Sequence, residues 1–128
     1  MTEVRSYRDL LVWQKAMDVA AATYALSRRF PRDELFGLTS QTRRAAVSIA
    51  ANIAEGYGRT SRSSYAQFLR ISQGSLKELE THLLLAERVG VAPSGSTKPL
   101  LVRTDELGRM LRALIGKVQT RPVDLSAP

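Results

Sequence analysis

The sequence predicts an all-α fold, an antiparallel up-down-up-down four-helix bundle, and three observations carry that expectation. Alanine and leucine dominate a chain that is 44% hydrophobic and 6% aromatic, a composition that favours helix over sheet. Four stretches repeat their apolar residues every three to four positions and are joined by short loops. No period-two alternation long enough for a sheet appears. At 128 residues the chain is expected to form one domain, with no linker and no internal repeat.

The first helix is expected over residues 8–30. Ser6 and Asp9 match a capping box, Leu10, Trp13, Met17, Ala20 and Tyr24 form its seam, and Pro31 stops it. The second is expected over residues 34–55, with Leu35, Leu38, Thr42, Ala45, Ile49 and Asn52 on the seam. The third, over residues 63–89, presents Leu69, Ser72, Leu76, Leu79, Leu83 and Ala86, with Gly90 as its C-terminal cap. VAPSGSTKP then reads as a loop. The fourth, over residues 99–119, repeats the pattern through Leu100, Thr104, Leu107, Leu111, Leu114 and Val118, and the tail TRPVDLSAP is expected to fray.

The first two helices carry more apolar surface than a monomeric bundle needs. Val12, Val19 and Leu26 recur every seven residues away from the first seam, and Val47, Ala51 and Ala54 point away from the second. Such contiguous patches mark contacts, so these six residues are the expected subunit interface, with closed cyclic symmetry as the default. The outer sides of the third and fourth helices are charged, through Arg70, Lys77, Glu78, Arg88, Glu106, Arg109 and Arg112.

The stretch NIAEGYGRTSRSSY, residues 52–65, invites comparison with a phosphate-binding loop. It fails the test: a helix precedes it instead of a strand, and no lysine follows its glycines. It reads as the turn of a helical hairpin. Gly56 and Gly58 are able to take positive φ there, and Thr60, Ser61 or Ser63 can cap the next helix. Glu55 stands in a last helical turn, where the dipole disfavours a carboxylate, so an ion pair with Arg59 or Arg62 is expected. Asn52, polar and on the seam, needs hydrogen-bond partners.

Charge supplies the functional signal. Nineteen Lys and Arg against twelve Asp and Glu give a net charge of +7, and fifteen of the nineteen are arginine, whose planar fork grips phosphate and carboxylate. A nucleic acid or an acidic protein partner is the expectation. Arg43, Arg44, Arg59 and Arg62 are the candidate nucleic-acid contacts. Without cysteine and with His82 alone, neither a thiolate metal site nor a histidine-based triad can be assembled, and no catalytic constellation, cofactor or metal site is expected. The N-terminus has no signal-like apolar region and no stretch is long enough to span a bilayer, so no membrane association and a cytoplasmic location are expected.

Four blocks, YRDLLVWQKAMDVA, FPRDELFGLTSQTRRAAVSIAANIAEGYGRTS, FLRISQGSLKELETHLLLA and DELGRMLRALI, closely resemble the four-helix bundle proteins related to the intervening-sequence protein of 23S ribosomal RNA. The resemblance runs from Tyr7 to about Lys117; VAPSGSTKPLLVRT departs from the usual loop and helix start. It implies a small cytosolic homopentamer without known enzymatic activity. A relative of that family, the accessory variability determinant of diversity-generating retroelements, is a basic pentamer that binds nucleic acid and its reverse transcriptase. The positions matching the family's pattern are Arg43, Arg44, Asn52, Glu55, Gly56, Gly58 and Arg59, and the resemblance assigns them no separate roles. The expected function is thus a non-enzymatic homo-oligomer that binds RNA or DNA or serves as a ribonucleoprotein adaptor. The alternative is a scaffold for an acidic protein partner, such as a reverse transcriptase, without nucleic-acid contact.

Overall fold

The computed structural model describes residues 3–120. These hold four α-helices and no strand: α1 Leu11–Ser27, α2 Ser40–Tyr57, α3 Arg62–Arg88 and α4 Lys98–Thr120. The tail expected beyond Thr120 lies outside the described residues. Each helix packs on the next in sequence, most extensively α2 on α3, and α1 meets α4 over a shorter stretch. Val12, Ala16 and Val19 of α1, Ile49 and Ile53 of α2, Leu69, Leu76, Leu79 and Leu83 of α3, and Leu107 and Leu111 of α4 share one core.

The seams of α3 and α4 are as expected. All six α3 residues named above are buried, as are Leu100, Thr104, Leu107, Leu111 and Val118, with Leu114 packed against them and Ile115 added. Gly90 takes φ +80 after α3, and the N–H groups of Gly90 and Val91 donate back to the carbonyls of Glu87 and Ala86, a Schellman ending. Ser61 caps the start of α3, its Oγ accepting from the Ser64 N–H at 3.1 Å.

α1 presents a different face from the one expected. Val12 and Val19, assigned above to a subunit contact, are 5% and 2% exposed within the chain's own core, and Leu26 packs against that core from its edge. Met17 and Tyr24, placed on the seam, are instead exposed, while Leu10, Trp13 and Ala20 flank the core. The inward stripe runs through Val12, Ala16, Val19, Thr23 and Ser27. Its two hydroxyl residues tolerate burial because each bonds back to its own helix, Thr23 Oγ1 to the Val19 carbonyl at 2.8 Å and Ser27 Oγ to the Tyr24 carbonyl at 3.2 Å. The Ser6–Asp9 capping box forms, but on a 3-10 turn, Tyr7–Asp9, separated from α1 by an extended Leu10.

The start of α2 also differs. A 3-10 turn, Arg32–Glu34, and a π-type turn, Leu35–Thr39, precede the helix, which begins at Ser40 instead of residue 34. Gly37 leaves helical geometry at φ −112 and ψ −113, and the Glu34 carboxylate accepts from the Leu38 N–H at 3.0 Å. The distortion moves Leu35 off the seam into solvent and leaves Phe36 93% exposed.

Gly56 and Gly58 do not take positive φ, since among the described residues only Gly90 and Gly95 do. Gly56 is there for space. A Cβ on it would stand 2.7 Å from Phe68 Cβ and 3.1 Å from the Tyr65 ring, so α3 passes too close for any side chain. At Gly58 the nearest atom to an added Cβ is 3.6 Å away, an ordinary contact. The same close approach sets the Tyr57 and Tyr65 rings edge to face, and burial followed by the Tyr57 neighbour pushes the Tyr65 hydroxyl pKa up.

Glu87 ties down the α3–α4 loop, accepting hydrogen bonds from the Thr97 hydroxyl, the Gly95 N–H at 2.8 Å and the Thr97 N–H at 3.1 Å. These bonds, the Thr97 hydroxyl first, hold its carboxyl below the ordinary carboxylate range.

Gly56→Ala is expected to cost about 1–3 kcal/mol in urea unfolding through overpacking, whereas Gly58→Ala should be nearly neutral; equal effects would remove the close-approach account. Glu87 gives a pH-dependent expectation. Its folded pKa is lowered, so its contribution is complete above the unfolded value, about 4.3, and is lost as pH falls through the folded value. Glu87→Gln should therefore be less stable than the wild type at neutral pH, with the two converging in acid. A gap that persists unchanged at low pH would mean the charge is not what matters.

Candidate nucleic-acid and assembly interface

The four arginines singled out from the sequence do not form one patch. Arg43 lies in the first turns of α2 and Arg59 just beyond its end, roughly 20 Å apart or more at 1.5 Å per helical residue. Arg43 and Arg59 are engaged within the chain. Arg43 Nε donates to Ser27 Oγ at 2.8 Å, and its guanidinium lies 4.7 Å from the Tyr24 ring centre, so it clamps α2 to α1. Arg59 pairs with Glu55 at 2.7 Å and stacks 4.6 Å over Phe68. Arg44 and Arg62 are exposed.

The turn residues have structural work. The expected Glu55 pair forms, with Arg59, one turn along the chain. Asn52 Nδ2 donates to the Ser48 carbonyl at 2.8 Å and to Ser48 Oγ at 3.0 Å, and Ser48 Oγ shares a hydrogen bond of 2.8 Å with Ser75 Oγ on α3. Nearby, Ser72 Oγ donates to the Ile49 carbonyl at 2.6 Å. Asn52 therefore ends a chain of hydrogen bonds that joins α2 to α3, and its own helix supplies its partners.

Of the six residues expected at a subunit contact, Val47 and Ala51 are exposed and Ala54 is half-buried. Val47 belongs to a groove of about 670 Å³ lined also by Tyr24, Leu35, Phe36, Arg43 and Arg44, with no carboxylate among its lining residues. Sequence reading missed Tyr24, Leu35 and Phe36. The signal was LFG: a glycine directly after two large apolar residues, at the point where a helix was expected to begin.

His82 is mostly buried, with Nε2 3.9 Å from Glu78 Oε2, and among the described residues no three metal-ligating side chains come together. None of the described helices is long and apolar enough to cross a membrane.

The family model of the 23S rRNA-intervening sequence protein matches residues 8–113, and the chain belongs to that family. A crystal structure of a protein of unknown function from the S23 ribosomal protein family of Bacteroides thetaiotaomicron is similar at a TM-score of 0.76. The two sequences are 24% identical, and the match covers 82% of this chain and 98% of that one. No protein of curated function matches.

The Glu55–Arg59 pair is half exposed on both sides, and such pairs contribute up to about 1 kcal/mol. Glu55→Ala should lower unfolding stability by no more than that. A loss several times larger would show that the pair is buried in an assembly.

Proposed function

We propose that this member of the 23S rRNA-intervening sequence protein family is a non-enzymatic, basic homo-oligomer that binds nucleic acid, directly or as a ribonucleoprotein adaptor. The observation that carries the assembly is the apolar groove of Tyr24, Leu35, Phe36 and Val47. A phenylalanine 93% exposed beside three other exposed apolar residues is surface that a second copy would cover. Val47, Ala51 and Ala54 extend it along α2, where small residues let a neighbouring helix come close. Closed symmetry is the default for such a contact, and we read it as the pentamer that the family resemblance implies.

We also infer that the helices alternate up and down. Ser72 meets Ile49 and Ser75 meets Ser48, while Tyr65 and Phe68 meet Gly56, so α3 runs backwards along α2. The chain is read as one bundle domain in the cytoplasm.

A net charge of +7 per chain, multiplied by the ring, supports the nucleic-acid reading, since weak phosphate contacts become avid when repeated. The groove also keeps the second reading open to test. Arg43 and Arg44 with no carboxylate among the lining residues would equally receive an acidic protein segment.

Phe36→Glu combined with Val47→Glu should convert the oligomer to monomer in light scattering while helical circular dichroism is retained. A wild-type monomer at micromolar concentration would refute the assembly and leave the groove to an acidic partner. Wild-type affinity for RNA or DNA should fall steeply with salt and vary little with base sequence.

A further inference from the structure

We propose that the phosphate-gripping surface is the end of the bundle where residues 28–34 meet residues 86–98, through Arg28, Arg29, Arg32 and Arg88, an inference that rests on the nucleic-acid reading above. Phe30 is buried there against Ala86 and Ala92, with Leu26, Leu38 and Val91 packed around them. This contact joins the α1–α2 connection to the end of α3. Three of the arginines flank Phe30 in the chain, and the fourth follows Ala86 by two residues. The backbone beneath them is ordered: the N–H groups of Arg29 and Phe30 donate to the carbonyls of Leu26 and Ser27 at 3.1 Å.

The carboxylates at this end, Glu34, Asp33 and Glu87, keep their charge, but among the described residues none pairs with these arginines: Glu34 accepts from the Leu38 N–H, and Glu87 holds Gly95 and Thr97. Elsewhere several surface cations have acidic partners: Arg59 with Glu55, Arg109 with Asp105, Lys15 with Glu106 and Lys77 with Glu80. The four arginines at this end are all exposed, and among the described residues none makes a side-chain hydrogen bond or ion pair. Unpaired guanidiniums aimed at water are the groups best placed to exchange counterions for phosphate.

Helix capping accounts for only part of this cluster. A cation at a helix C-terminus complements the dipole, which explains Arg28 after α1 and Arg88 at the end of α3. Arg29 and Arg32 lie past the last turn of α1, where that interaction has faded. A ligand built of regularly spaced negative charges fits all four.

The test changes Arg28, Arg29, Arg32 and Arg88 together to Gln. Binding of a labelled single-stranded RNA and a labelled duplex DNA is followed by fluorescence anisotropy across a salt series. A second variant changes Arg43, Arg44, Arg59 and Arg62 to Gln. Circular dichroism and light scattering confirm that each remains folded and assembled. The end variant should bind about tenfold more weakly or worse. Its log-affinity against log-salt slope for duplex DNA should be shallower by about 3–4 for each copy engaged, at roughly 0.9 for every phosphate no longer neutralised. The second variant should keep more of both. Replacing the four end arginines with Lys should preserve the slope. Undiminished affinity in the end variant, with weaker binding in the second variant, would overturn the site while leaving nucleic-acid binding intact. Absence of wild-type binding to both probes at low salt would overturn the nucleic-acid reading and this site with it.

Discussion

The close approach of α2 to α3 is the constraint on which the rest of this molecule depends. At Gly56 there is no room for even a Cβ between the two helices. Further along, the gap is bridged by hydroxyls, Ser72 to the Ile49 carbonyl and Ser75 to Ser48. These bonds matter because both helices present small residues at the contact. Gly56 lets Tyr65 and Phe68 come close, and the serine hydroxyls then find partners across the seam instead of losing water without return. Asn52 completes the chain by holding Ser48, which fixes one register for the pair. With that pair set, the Leu69, Leu76, Leu79 and Leu83 row has a fixed direction, and α1 and α4 pack against it.

How much of this was legible depended on how cleanly each helix separates its faces. On α3 and α4 the period alone identified most of the buried residues, missing Ala66, Ser75 and Ile115, although Ile71, Leu84, Leu85 and Val102 leave apolar side chains exposed outside the stripe. α1 has apolar residues nearly all round, and a shift of one residue, about 100° on a helix, selects a different stripe. The stripe that won contains Thr23 and Ser27, which look like surface residues until their back-bonds to the helix are seen. That choice also moved Val12 and Val19 from a supposed outer contact to the core. The glycines of the turn were recognised as structural but for a conformational reason, when Gly56 answers to a neighbour that is close in space and invisible in local sequence. The arginines were legible as a composition and not as a place, because Arg43 and Arg59 are taken up by Tyr24, Ser27, Glu55 and Phe68.

The turn before α2 breaks a local rule. The sequence ELFGLT could continue a helix with Leu35 inward. The π-type turn instead spends a regular helical turn and exposes Leu35 and Phe36. Here the turn is held by Glu34 at one side, while Arg43, clamped on Tyr24 and Ser27, fixes the neighbouring surface of α2. The exposed apolar residues thus stand on a turn that is hydrogen-bonded at one side and flanked by the Arg43 clamp at the other, an arrangement that would lower the ordering cost of a contact.

In the proposed ring, charge and assembly act on each other. Copies carrying +7 repel, so an apolar contact through Phe36 and Val47 must overcome a barrier that grows as copies are added. In the up-down arrangement proposed above, the helix dipoles would largely cancel at each end, since two N-termini and two C-termini would meet there. The field at the Arg28, Arg29, Arg32 and Arg88 end would then be set by side chains. A polyanion spanning several copies would neutralise those charges and remove much of the repulsion. By linkage, whatever binds the ring more tightly than the protomer also favours the ring. Assembly and polyanion binding would therefore be two readings of one equilibrium, and salt would act on both in opposite senses: screening helps copies approach while it releases the nucleic acid.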